Sequence, residues 1–142
     1  MAYGRSKTAT ILCAVAFDGR HRARGIRAAV VHPGGIRTEL SRHMDPAQLQ
    51  AMVDHINEPG TAAGQRPFQY KTIPQGAATS VWASVVASAE EIGGRYCENC
   101  HVGQIVPADQ PWSLTSEGVC TYALDRQAAE ALWRKSEELV GE

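Results

Sequence analysis

The feature that most constrains this chain is a long stretch free of breakers that runs straight into a short apolar one. Between Ser6 and Arg24 there is no proline and one interior glycine, Gly19, while Ile11, Leu12, Ala14 and Val15 recur at helical spacing. This pattern predicts a helix over 6–24. Gly25 stands where a C-cap glycine belongs, and Arg20, His21, Arg22 and Arg24 fall in the last turns, where cations complement the helix dipole. The next run, Ile26-Arg27-Ala28-Ala29-Val30-Val31-His32, is rich in small and β-branched residues and stops at Pro33-Gly34-Gly35, as a buried strand would. A helix joined so tightly to a strand is an α/β unit.

The remaining chain continues in the same style. Thr38 or Ser41 can cap a short helix, and Asp45-Pro46 caps and opens another that runs over 46–56 through Leu49, Met52 and Val53. Residues 57–72, with Pro59, Gly60, Gly64 and Pro67, read as a loop, either a mobile flap or a connection near a site. Ala77, Ala78, Val81, Trp82, Val85 and Val86 predict a helix over 74–88 with Pro74 in its first turn. Gly93-Gly94 breaks the chain before a strand that starts at Arg95 and trails to Val106. Asp125 caps a last helix that carries Ala129, Leu132, Trp133 and Leu139 to Gly141. No internal repeat or low-complexity tract appears.

Composition narrows the function. The 142 residues suffice for one domain, and 14 Lys plus Arg against 15 Asp plus Glu leave a formal charge of -1, which removes any bulk attraction to nucleic acid or anionic lipid. The arginine cluster at the end of the first helix therefore reads as a solvated helix end rather than a phosphate site. No run approaches the ~20 apolar residues of a membrane span, and residues 1–7 lack the apolar region of a signal peptide, so a cytoplasmic location is expected. Cys13, Cys97, Cys100 and Cys120 are too few for a disulfide scaffold and are taken as thiols.

Chemistry concentrates at the start of the first helix. Tyr3 and Lys7 are spaced i, i+4, which puts a phenol and an ammonium on one helical face, and a cation held near a phenol favours its ionised form. Alone this spacing is common on solvated helices. Here Tyr3-Gly4-Arg5-Ser6-Lys7-Thr8-Ala9 is followed by Ala23-Arg24-Gly25-Ile26-Arg27 and by His32-Pro33-Gly34-Gly35-Ile36-Arg37-Thr38. Further on come Pro74-Gln75-Gly76-Ala77-Ala78, Gly93-Gly94-Arg95-Tyr96 and the helix with Trp133. In these motifs the whole chain resembles the C-terminal half of a short-chain dehydrogenase/reductase, starting at the Y-x-x-x-K motif. It is most similar to the branch with retinol-dehydrogenase-like and WW-domain-oxidoreductase-like members.

The resemblance implies an α/β fold that is the C-terminal half of a doubly wound, Rossmann-like parallel sheet, so that residues 1–142 form a single partial domain. It implies an NAD- or NADP-dependent oxidoreductase that interconverts a small-molecule alcohol and a carbonyl. Tyr3 would be the proton donor or acceptor, and Lys7 would tune Tyr3 and hydrogen-bond the nicotinamide ribose. Pro33 and Gly34 would shape the turn beside the nicotinamide, the Ile36 backbone would bind the carboxamide, and the Thr38 hydroxyl would reach the diphosphate or the amide. The helix with Tyr3 and Lys7 is the one through which a homo-oligomer would form. The segment 40–72 would hold the substrate loop, its Met44, Leu49, Met52 and Phe68 suggesting an apolar substrate.

The departures from the family matter as much. No G-x-G-x-x-G or G-x-x-x-G-x-G occurs in the chain, so the glycine-rich turn that cradles pyrophosphate is missing, and with it the serine and asparagine that precede the tyrosine. By itself the chain is expected to be an inactive fragment whose first strand has lost a neighbour, hence poorly stable or self-associating. A second reading is a non-catalytic segment that acts by pairing.

A third class of reading rests on Cys97-Glu98-Asn99-Cys100-His101. It matches the C-x-x-C-H of c-type haem attachment, but no export signal accompanies it. Cys97, Cys100, His101 and Cys120 could supply zinc, yet a second C-x-x-C is absent. Buried thiols on a strand are the simpler reading, and no metal ligand is assigned. His32 reads as a packing residue at a strand end, Trp82 and Trp133 as core, and Trp112 as either pocket lining or core cover.

Overall fold

The structure is a computed structural model that describes residues 2–62, 67–107, 109 and 116–141. Trp112 and Gly64 lie outside the described residues. The first helix, α1 (Ala2–His21), begins four residues before the expected start at Ser6. The hydroxyls of Ser6 and Thr8 donate back to the carbonyls of Tyr3 and Gly4 at 2.7 and 3.2 Å, so they sit inside the helix instead of capping it. A 3-10 turn, Arg22–Arg24, follows, and Gly25, at φ 76°, closes it by donating its N–H to the Arg22 carbonyl.

Strand β1 (Val30–His32) is shorter than the expected 26–32. The reason is tertiary. The buried carboxylate of Asp18 on α1 accepts from Arg27 Nε at 2.8 Å and from the Ala28 N–H at 3.1 Å, and the Ala28 carbonyl accepts from Gly94, so these residues tie elements together before ladder pairing starts. β1 pairs in parallel with β2 (Tyr96–Glu98) in the register Val30↔Tyr96, Val31↔Cys97 and His32↔Glu98. The expected strand from Arg95 to Val106 is in fact three short ones. β2 turns back into the antiparallel β3 (His101–Val102), while β4 (Ile105–Val106) pairs in parallel with β5 (Val119–Cys120) as a separate two-stranded sheet. Asn99 and Cys100, at φ 48° and 59°, make the two-residue turn whose twist matches such a hairpin. The Cys100 N–H donates to Thr79 Oγ1 at 3.3 Å, which anchors the turn to a helix.

Helix α2 (Pro46–Ala62) runs past the expected end at 56, and residues expected to be loop continue its backbone. Proline removes one main-chain donor, and the helix carries on beyond that single loss. Helix α3 (Ile73–Val85) opens with a capping box in which Thr72 and Gln75 satisfy each other's backbone N–H groups. It stops at Val85 because Ser88 caps the short α4 (Ala89–Ile92), its hydroxyl accepting from the Glu91 N–H. Helix α5 (Arg126–Val140) is capped by Asp125 and closed by Gly141 at φ 80°, as the sequence predicts. The architecture is mixed α/β, in keeping with a partial Rossmann-like fold.

The core lies between α1 and α5, where Val15, Ala16 and Ala129 are buried and Leu12, Leu124 and Trp133 close around them. Trp82 and Trp133 are half-buried rather than fully inside. On α3, Val81 and Val85 are 56% and 76% exposed. The accessible surface of 10088 Å² exceeds by nearly half the roughly 7,000 Å² of an ordinary folded chain of 15.3 kDa. Among the described residues no strand pairs with the outer edge of β1, and the side of α3 that carries Val81 and Val85 is exposed.

Candidate functional site

Two groups of residues hold the expected site positions, the first turns of α1 and the turn after β1. Asp18 near the end of α1 grips Arg27 and Ala28 just before β1, which fastens the end of the helix to the approach of the strand. In the first turns of α1, Lys7 Nζ sits over the face of the Tyr3 ring, 5.1 Å from its centroid. The i, i+4 spacing thus produces the contact expected of it, as a cation over the ring. Tyr3 is 77% exposed, and among the described residues Lys7 has no ion-pair partner.

The second group is the turn after β1. Gly34 has φ 87°, and a Cβ there would come within 2.8 Å of Lys71 Cε and Nζ, so only glycine fits. Lys71 crosses the turn by side chain and main chain. Its Nζ donates to the Pro33 carbonyl at 3.3 Å, its N–H donates to the Gly35 carbonyl at 2.8 Å, and Ile36 and Lys71 form an isolated parallel bridge. The Ile36 side chain lies on Gly76 of α3, where an added Cβ would meet Ile36 Cδ1 at 2.5 Å, which explains a glycine inside that helix. Thr38 caps a 3-10 turn, Glu39–Ser41, its hydroxyl oxygen accepting from the Leu40 N–H, so its own proton stays available to an acceptor. Beyond it a cleft of about 230 Å³ is lined by Ile36, Thr38, Met44, Leu49, Met52 and Tyr70. Phe68 packs against Gly35 instead and does not line this cleft.

Charge gathers where β1 and β2 end. Glu98 is 4% exposed; its Oε1 accepts from the Gly118 N–H, and its Oε2 is 4.0 Å from His32 Nδ1. Burial pushes the Glu98 carboxyl above its ordinary value and Glu117 adds to this, while the Gly118 N–H, His32 and His101 oppose the rise. Burial, with help from Glu98, likewise pushes the Tyr96 phenol up. His32 also stacks on Tyr96, with centroids 6.1 Å apart, and so packs at the end of the strand. Asn99 extends the network, accepting from Lys71 Nζ and donating from Nδ2 to Glu117 Oε1 at 2.7 Å.

Lys71, Glu98 and Asn99 were not legible as site residues. Lys71 precedes a helix cap, and the other two lie within a run that reads as a strand of thiols. That run is split by the hairpin: Cys97 is fully buried on β2, Cys100 is exposed in the turn, and Cys120 is on β5. Among the described residues no group of three or more His, Cys, Asp or Glu is placed to hold a metal ion. Among them, too, no helix is long and apolar enough to cross a membrane.

Comparison with known proteins follows the motifs. A probable oxidoreductase of Streptomyces lividans is 37% identical over 93% of this chain and 42% of its own length. The oxidoreductase calI of Penicillium decumbens is 35% identical over 99% of the chain and 39% of its own. The short-chain dehydrogenase/reductase prx1 of Penicillium roqueforti is 32% identical over 98% of the chain and 38% of its own. The chain therefore spans about two fifths of the length of the curated relatives it matches. No family profile and no solved structure matches it. Relatives of this kind along nearly the entire chain, on a mixed α/β fold, place it in the short-chain dehydrogenase/reductase family.

Proposed function

We propose that these 142 residues are one partial domain of an NAD- or NADP-dependent oxidoreductase that interconverts a small-molecule alcohol and a carbonyl, and that they supply its proton-transfer pair and the nicotinamide end of its cofactor site. The observation that carries this reading is the Lys7 ammonium seated over the Tyr3 ring at the start of α1. Tyr3 would pass its hydroxyl proton to, or take it from, the substrate oxygen, with Lys7 stabilising negative charge on the phenol. The cofactor, when bound, supplies the hydride chemistry.

Lys7, Pro33, Gly34, Ile36 and Thr38 would hold the nicotinamide and its ribose. Their chemistry suits that end of the molecule, with an ammonium outside any ion pair among the described residues, a hydroxyl proton available on Thr38, and a turn held in the glycine-only conformation. The diphosphate end finds no counterpart, since the sequence holds no glycine-rich cradle. Tyr3 is also open to water, and proton transfer beside a hydride step requires water to be kept out. On this reading the chain alone does not turn over and depends on a dinucleotide-binding portion that these residues do not include.

A chimera tests the reading. The segment of the Streptomyces lividans relative that this chain matches is replaced by the chain itself, and carbonyl reduction is followed by NADH or NADPH fluorescence. The chimera is expected to be active, Tyr3→Phe to lose at least ~100-fold in kcat, and the isolated chain to show no turnover. A folded, active chimera that tolerates Tyr3→Phe refutes the role of Tyr3. Turnover by the isolated chain refutes its dependence on a second portion.

A further inference from the structure

The Pro33–Gly34–Gly35 turn is held by groups distant in sequence, and Lys71 is the centre of them. Its Nζ donates to the Pro33 carbonyl at 3.3 Å and to Asn99 Oδ1, and Asn99 Nδ2 donates onward to Glu117 Oε1 at 2.7 Å. One ammonium thus links the turn after β1, the tip of the β2–β3 hairpin and the segment leading into β5. A Cβ on residue 34 would come within 2.8 Å of the lysine Cε and Nζ, so the end of the side chain lies close against Gly34. Asn99 meets it from a left-handed backbone at φ 48°, which aims its amide across the end of the sheet. Ordinary surface lysines bind nothing so particular.

We propose that Lys71 is a positioning residue for the cofactor site, with Asn99 as its relay. The ammonium fixes the Pro33 carbonyl, and with it the path of Gly34 to Thr38. This rests on the reading that the turn meets the nicotinamide. A turn held from outside needs no reordering when a planar ring settles on it, so binding costs less conformational entropy. Lys71 itself touches neither the ring nor the substrate on this account.

The test has two arms. In the first, hydrogen exchange of the 142-residue chain is followed by mass spectrometry for Lys71→Met, Asn99→Ala and Lys71→Arg. Lys71→Met is expected to speed exchange in 68–72, where the Lys71 N–H is bonded to Gly35, and in 33–38 by about tenfold, with α5 unchanged and Lys71→Arg close to the parent. Asn99→Ala should have a smaller effect in the same segments. Unchanged exchange there, or equal acceleration in α5, overturns the strut. In the second arm the same substitutions in the chimera are expected to raise KM for the nucleotide about tenfold at nearly constant kcat, with Lys71→Arg restoring it. Loosened exchange with an unchanged nucleotide KM overturns the cofactor role. If the parent chimera uses no nicotinamide nucleotide, the proposed function fails, and the first arm still decides whether Lys71 holds the turn.

Discussion

Removing the Asp18 carboxylate tests how α1 is fastened to the sheet. Asp18 is a charged residue on a helix face that would otherwise be apolar, and its side chain is 7% exposed against 21% for Arg27. It accepts from Arg27 Nε at 2.8 Å, from Arg27 Nη2 at 3.2 Å and from the Ala28 N–H at 3.1 Å. Truncation to alanine removes this acceptor from a part-buried guanidinium and from the Ala28 N–H. Breaking a buried pair from one side costs about 3–5 kcal/mol, and since Arg27 can swing partly into water the low end, about 3 kcal/mol, applies. With an unfolding entropy of roughly 2.1 cal/mol/K per residue, that corresponds to a fall in Tm of about 10 °C for a chain of this size.

The assay is thermal and urea unfolding by circular dichroism at low protein concentration, on Asp18→Ala, Arg27→Met and the double variant. Because the two residues satisfy one another, the double variant should cost little more than either single one, a coupling of about 2 kcal/mol. A loss below about 1 kcal/mol for Asp18→Ala, or additive single effects, would refute the assignment. The reasoning also fixes a pH dependence. Burial alone would raise the Asp18 carboxyl, but Arg27 and the Ala28 N–H more than offset this and hold it below its ordinary 3.8. The stabilisation is therefore complete above pH 3.8 and is lost as pH falls through the lower folded value, so the deficit of Asp18→Ala should shrink in acid.

Glu98 works in the opposite sense: its carboxyl is raised from 4.5, so the folded state is disfavoured as pH climbs through that higher value, and Glu98→Gln should remove this slope and be no less stable than the parent at pH 7. A loss above about 1 kcal/mol at pH 7, seen in urea titrations, would contradict it. Gly76→Ala places a methyl 2.5 Å from Ile36 Cδ1 and should cost about 1–3 kcal/mol while disturbing the turn, whereas an unchanged Tm would mean that Ile36 repacks freely. The bare β1 edge and the exposed Val81 and Val85 predict self-association at micromolar concentration. Val85→Glu should raise the monomer fraction in analytical ultracentrifugation and change monomer stability by under about 0.5 kcal/mol. A parent chain that sediments as a monomer with a sharp melt would count against this.

What the sequence determined by itself is the local grammar. Helix α5 with its Asp125 cap, the glycine stops at Gly25 and Gly141 and the Tyr3–Lys7 contact are all set by groups within a turn or two of each other, and periodicity and capping chemistry report on that range. Tertiary structure decided everything that depends on distant partners. Lys71 reaches Pro33 across 38 residues and Asn99 across 28, and Asn99 reaches Glu117 across 18. Nothing local to any of these residues marks it.

The same cause trimmed β1, because Asp18 claims Arg27 and the Ala28 N–H, while the segment after Arg95 is split by the left-handed Asn99–Cys100 turn, which Thr79 and Lys71 hold from elsewhere in the chain. It also left Val81 and Val85 exposed. An apolar face states what a helix can bury, and only the assembled chain decides whether anything is there to bury it against.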